Sequence, residues 1–158
     1  MNKENKLVPG LPSGFEDRWD KKLLLKKKLL KAIENNFIKF GAEALETPSF
    51  EISENIGSFL AEDEANPMSD VFSFQDGDKS ITLRYDLSSP LARFVAQNNQ
   101  ELPSIFKRYQ IQNVFRNEKA GNGRYREFMQ ADFDIVGNVN PAQANAELCN
   151  LISSTLSD

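Results

Sequence analysis

Histidine is absent from the 158 residues, and cysteine occurs once, at Cys149. Without an imidazole, Ser-His-Asp and Cys-His nucleophile systems and histidine proton shuttles are excluded. One thiol and no imidazole leave no ligand set for zinc, so no protein-bound metal is expected. A lone cysteine also excludes an internal disulfide and fits a reducing compartment. No apolar run approaches the roughly 20 residues that span a bilayer. The lysine-containing opening MNKENKLVPG has no apolar stretch behind it, so no signal peptide is read there and a cytoplasmic location is expected. The glycine-rich phosphate cradles GxxxxGK with Ser or Thr, and GxGxxG, are both missing. Any phosphate must then be held by side chains, for which arginine has the fitting geometry.

What is present is ordinary globular material: 40% hydrophobic and 27% charged residues with a net charge of −4. Residues 1–10 read as a polar lead-in and 11–158 as one domain or part of one. From Arg18 to Phe40 the residues Trp19, Leu23, Leu30, Ile33, Phe37 and Phe40 recur at helical spacing, and Gly41 supplies a left-handed stop. The lysines of this helix read as a solvated face. A strand EALETP (43–48) follows, then an irregular acidic stretch over 51–70. The strands VFSFQ (71–75) and SITLRYD (80–86) form a hairpin through a four-residue link, 76–79. A helix opens at SSPLARFVAQN, with Ser89 as its cap and Pro90 at its first position. A long hairpin spans roughly 106–136 and turns at Gly121-Asn122-Gly123. The last helix opens at Asn140-Pro141 with Ala144, Leu148 and Ile152 on one face. The fold class is α+β, a mostly antiparallel sheet flanked by helices.

Side chains alternate between the two faces of a strand, so parity sorts them. On the last strand Met129, Ala131, Phe133 and Ile135 share an apolar row, and Phe128, Gln130, Asp132 and Asp134 share the other. Arg116 and Glu118 share one parity, as do Arg84 and Asp86. Such rows suit either a solvated sheet face or a ligand-binding one. Between Lys107 and Arg126 there are six basic residues and one acid, Glu118. Forked guanidinium groups around one acid and one aromatic, Phe128, suit a nucleoside polyphosphate, although a basic hairpin also occurs with no ligand.

FRNE at 115–118, a short loop, and GRYREF at 123–128 resemble motif 2 of the class II aminoacyl-tRNA synthetases. The helix followed by EALETP resembles their motif 1, whose strand closes on proline, here Pro48. LRYDLSSPLAR at 83–93, with GRYREFMQADFDIVG at 123–137 and GFEDRWD at 14–20, is similar to histidyl-tRNA synthetases, and the likeness covers Leu11 to Leu151. Met129 and Leu87 depart from it, standing where many relatives carry histidine and glycine.

The resemblance implies roles. Arg116 takes the α-phosphate of ATP and is the catalytic residue; Glu118 reads the adenine amino group, Arg124 reaches the outer phosphates, and Phe128 stacks on the base. Asp86, Leu87 and Ser88, with Arg116, Gln130 and Asp134, form the histidine pocket. ATP with Mg2+, histidine and tRNA are the implied substrates, with a homodimer formed through the motif 1 helix. The glycine-rich motif 3 and the anticodon-binding domain are not in this sequence, so residues 11–158 read as the N-terminal part of a catalytic domain, inactive alone. Two other readings stay open. One is the synthetase-like regulatory subunit of ATP phosphoribosyltransferase; the other is a basic-hairpin RNA-binding module without catalysis.

Overall fold

The structure, a computed structural model, describes residues 8–56 and 70–157. The expected lead-in and the acidic stretch lie largely outside the described residues.

Helix α1 (Asp20–Lys39) ends at Phe40, and Gly41 follows at φ 79°. Gly41 N donates to Ile38 O at 2.9 Å and Ala42 N to Phe37 O at 3.2 Å. These two bonds satisfy carbonyls that the last turn leaves unpaired, a Schellman stop that needs the left-handed residue. The helix buries Phe37 against the sheet. Trp19, expected on the same stripe, is 77% exposed. It precedes the helix in extended conformation (φ −147°, ψ 167°), so helical phase does not reach it.

Two three-stranded sheets follow. The first has the order β1 (Glu43–Ala44), β5 (Ile105–Phe115), β6 (Glu127–Gly137). Strands β5 and β6 pair antiparallel without a break from Ile105↔Gly137 to Phe115↔Glu127, while β1 is parallel to β5. The second has the order β2 (Phe50–Ile52), β4 (Lys79–Leu83), β3 (Ser73–Asp76), all antiparallel. Helices α2 (Ser53–Ile56), α3 (Ser88–Asn98) and α4 (Pro141–Ser157) complete the α+β arrangement. No helix among the described residues is long and apolar enough to cross a membrane.

Several local expectations shift. The strand at 43–48 pairs only at Glu43–Ala44; Leu45 N still reaches Tyr109 O at 2.9 Å, but Thr47 N turns to the Gln112 side chain. The described part of 51–70 is not irregular at its start, since Glu51 and Ile52 belong to β2 and Ser53–Ile56 to α2. Pairing of Asp76 with Lys79 shortens the β3–β4 link to Gly77-Asp78, with Gly77 at φ 62°. Ser89 does not cap α3: Asp86 Oδ1 accepts from Ser89 N at 3.2 Å, and Pro90 is the third helical residue. In α4 it is Leu151 that is buried, whereas Ile152 is 58% exposed. Ala144, Leu148 and Leu151 fall at i, i+4 and i+7, a better helical stripe than the expected one.

The core lies between α1, α4 and one face of the β5–β6 ribbon. Phe37, Ala42, Tyr109 and Leu151 are buried there, with Ile33, Ile111, Phe133 and Leu148 packed around them. The Phe37 ring meets Tyr109 at 5.9 Å and Phe133 edge-on at 5.6 Å. Burying such a ring contributes about 1.5–3 kcal/mol. The opposite face of the ribbon carries the polar row, and it is not simply solvated. On β5, Arg108 and Gln110 are fully buried. Gln110 Nε2 donates to Thr47 Oγ1 at 2.8 Å and Arg108 Nη2 to Leu87 O at 3.1 Å, so the 45–49 segment and the entry to α3 lie over them. On β6, Phe128, Gln130, Asp132 and Asp134 remain partly open.

Candidate functional site

The antiparallel register fixes which polar residues are neighbours. Val114 stands opposite Phe128, Gln112 opposite Gln130, Gln110 opposite Asp132, and Arg108 opposite Asp134. From Phe128 to Asp134 the row spans six residue steps, about 20 Å along the strand.

At one end the hairpin gathers cations. The Arg116 guanidinium lies 4.4 Å from the centroid of the Tyr85 ring and 5.0 Å from that of Phe128. Its Nε points to Tyr85 O at 3.4 Å. Glu118 accepts from the Tyr85 hydroxyl at 3.1 Å through one oxygen and from Arg124 Nε at 2.7 Å through the other. The Arg124 guanidinium beside it holds the Glu118 carboxyl below its ordinary range, while burial pushes the Tyr85 phenol up. Arg116, Glu118, Arg124 and Phe128 are therefore brought together, with Tyr85 touching Arg116 and Glu118.

The other end is acidic. Arg108 Nη2 stands 2.6 Å from Asp134 Oδ2, and its Nη1 donates to Gln110 Oε1 at 3.1 Å. Burial pulls the Arg108 pKa down, and Asp134, Asp132 and Asp86 act against that. The Asp132 carboxyl is pushed up, chiefly by burial and against the pull of Arg108. Asp134 pairs with this guanidinium while Asp132 and Asp86 act on it electrostatically, a local excess of negative charge that suits a cationic or hydrogen-bond-donating group. Between the two ends, Gln130 Oε1 is buried without a hydrogen-bond partner among the described residues. It is an acceptor suited to an incoming N–H.

The remaining expected residues sit differently. The Leu87 side chain is fully buried, and only its carbonyl takes part, accepting from Arg108. Ser88 is exposed as the first residue of α3. Asp86 and Ser88 line a cavity of about 660 Å³ along α3, which Arg116, Gln130 and Asp134 do not line. Asp86 also acts electrostatically on Arg108.

The family model for histidyl-tRNA synthetase matches residues 14–158. The chain belongs to the histidyl-tRNA synthetase family. It is 81% identical over 156 residues to a histidine–tRNA ligase of Pelagibacter ubique, covering 99% of this chain and 34% of that protein. The chain thus spans about a third of the length of the curated relatives it matches. A crystal structure of histidyl-tRNA synthetase from Nostoc superposes with a TM-score of 0.78 at 27% identity, covering 94% of this chain and 34% of that one. A structure described as an ATP phosphoribosyltransferase regulatory subunit/histidyl-tRNA synthetase from Bacillus halodurans gives a TM-score of 0.79 at 24% identity, with 99% and 39% covered. At that identity the likeness concerns the fold alone.

In this synthetase-family chain, sequence reasoning missed Tyr85 and Arg108. Strand parity assigned Tyr85 to the face opposite Asp86, but β4 ends at Leu83 and parity has no force beyond it. In the sequence Arg108 stands only among the six basic residues between Lys107 and Arg126, with no role of its own. The available signal was its register partner, Asp134, since oppositely charged cross-strand neighbours stabilise one another.

Proposed function

We propose that the protein activates histidine with ATP to histidyl-adenylate and transfers it to tRNA, and that residues 11–158 form part of the catalytic domain. The observation that carries this reading is the single polar row of β6. It has an arginine–aromatic stack at one end, an amide in the middle and an acid–guanidinium floor at the other. A histidyl-adenylate has the matching polarity, with a base and phosphate at one end and an ammonium and imidazole at the other.

In the first step the carboxylate oxygen of histidine attacks the α-phosphorus of ATP and pyrophosphate leaves. In the second, a hydroxyl of the terminal tRNA adenosine attacks the acyl carbon and AMP leaves. Neither step uses a side-chain nucleophile, so a chain without histidine is suited to it. Arg116 stabilises charge on the phosphorus oxygens, and positioning supplies much of the remainder. Asp86, Ser88, Gln130 and Asp134 hold the amino acid, and Leu87 contributes its backbone. Glu118 and Phe128 take the adenine. Because Arg124 rests on Glu118, ATP binding exchanges that ion pair for one to the outer phosphates and leaves the carboxylate to accept from the adenine amino group. ATP enters as its magnesium complex. The ion would supply charge neutralisation on the phosphates.

Exposed Leu24, Leu25 and Leu29, at 59%, 69% and 59%, support a homodimer formed through α1. A cytoplasmic location fits the same reading. The assembled Arg116, Glu118 and Arg124 set favours the enzyme over a regulatory subunit, which has no need of ATP-handling residues, and over a simple RNA-binding hairpin. The test is ATP–pyrophosphate exchange by the protein expressed from its complete reading frame. Exchange that requires histidine supports the proposal; exchange absent at saturating histidine and ATP overturns it.

A further inference from the structure

Arg126 touches none of the residues that grip the phosphates through its side chain, yet several segments meet on it. Its backbone N–H donates to Gly14 O at 2.8 Å, and its carbonyl accepts from Arg116 N at 2.9 Å. Its guanidinium lies 4.5 Å from the centroid of the Phe72 ring, with Nη1 3.5 Å from Ser13 O and Nη2 donating to Asn117 Oδ1. Phe72 packs on Phe15 at 6.1 Å, and Asn117 N donates to Asp70 O at 2.8 Å. The turn at 12–15, the segment 70–72 and both arms of the hairpin therefore converge on one side chain.

Gly14 shows how close that convergence is. It sits at φ 82° in a turn closed by Phe15 N donating to Pro12 O at 3.2 Å. A Cβ added there would stand 2.6 Å from Arg126 Cγ and 2.7 Å from Cδ. Both the conformation and the approach call for glycine. The β5–β6 ladder ends at Phe115 and Glu127. Arg116, Glu118 and Arg124 all lie beyond it, where regular pairing no longer sets their spacing. The Arg116–Arg126 backbone bond and the Arg126–Asn117 side-chain bond brace this stretch instead.

We propose that Arg126 is a positioning residue for ATP. It fastens the base of the hairpin loop to the 12–15 turn, so that Arg116, Glu118 and Arg124 keep one spacing. The proposal rests on the ATP reading given above. Its test is steady-state exchange kinetics on the protein from its complete reading frame, comparing wild type, Arg126→Gln, Gly14→Ala and the double variant. From the worth of hydrogen bonds made by a charged group, each single variant should raise KM for ATP by about 10- to 100-fold. KM for histidine should stay within about twofold, and the double variant should be no worse than the poorer single. Equal rises in both KM values, or KM for ATP within about twofold of wild type, overturn the positioning role while leaving the ATP reading intact. Absence of histidine-dependent exchange in the wild type overturns both. If Arg126→Gln does not fold, Gly14→Ala decides alone, because it disturbs the same contact from the turn side.

Discussion

Replacing Arg108 by methionine removes the cation on which Asp134, Asp132 and Asp86 act while keeping a long side chain in the space. Arg108 is fully buried, and its partner Asp134 is 32% exposed at 2.6 Å. Removing one member of a buried ion pair costs about 3–5 kcal/mol, because the other charge is left without compensation. Access of solvent to Asp134 screens part of that, which places the expected loss near the lower end, about 3 kcal/mol. The loss of the Arg108 bonds to Leu87 O and Gln110 Oε1 acts in the same direction. Replacing both partners, Arg108→Met with Asp134→Leu, should recover part of the loss, since an apolar pair in place of a buried ion pair is often near neutral. Urea unfolding of the complete protein followed by circular dichroism measures Arg108→Met, Asp134→Leu and the double variant. A cost below about 1 kcal/mol for Arg108→Met, or a double variant whose loss equals the sum of the singles, would refute the reasoning.

Two further outcomes follow from the same site. Asp132 has its pKa raised above 3.8 in the folded protein, chiefly by burial. The folded state then holds this proton more tightly, so the group favours folding most fully below its unfolded pKa and loses that contribution as pH rises through the folded one. Asp132→Asn should accordingly raise the melting temperature at pH 7 and show a smaller gain as pH approaches 4; a lower melting temperature at pH 7 would contradict the burial argument. Arg116→Gln should lower the rate of histidine-dependent exchange by about 10²–10³, by analogy with loss of one oxyanion donor. A change smaller than about tenfold would remove Arg116 from the catalytic role.

Much of this arrangement was legible in the residues, for local reasons. The Gly121–Gly123 turn and the alternation on β6 set the hairpin and its two faces. The α3 segment followed from SSPLARFVAQN, although it starts two residues before Pro90 and the side-chain acceptor there is Asp86, which takes the Ser89 N–H. What escaped was set by non-local packing. A polar row on β5 reads like a solvated face, and nothing in its own pattern shows that Thr47 and Leu87 lie over Arg108 and Gln110. The division into two sheets depends on β2 choosing β4, a pairing across about thirty residues that no turn signal marks. Trp19 and Ile152 were misplaced because helical periodicity tolerates a shift of one residue until the helix start and the neighbouring helix are known. The histidine pocket was read from resemblance, and its members divide between the β6 row, the start of α3 and Arg116 beyond the end of β5.

The central claim is that the β6 row and the Arg116 stack form one ligand site. A crystal structure of the complete protein with histidine and a non-hydrolysable ATP analogue tests it most directly. The account predicts an α-phosphate oxygen within hydrogen-bond distance of Arg116, about 3 Å, and the imidazole on the Gln130–Asp134 row. A nucleotide seated elsewhere, with Arg116 still closed between Tyr85 and Phe128 and Gln130 touching no ligand, would contradict it.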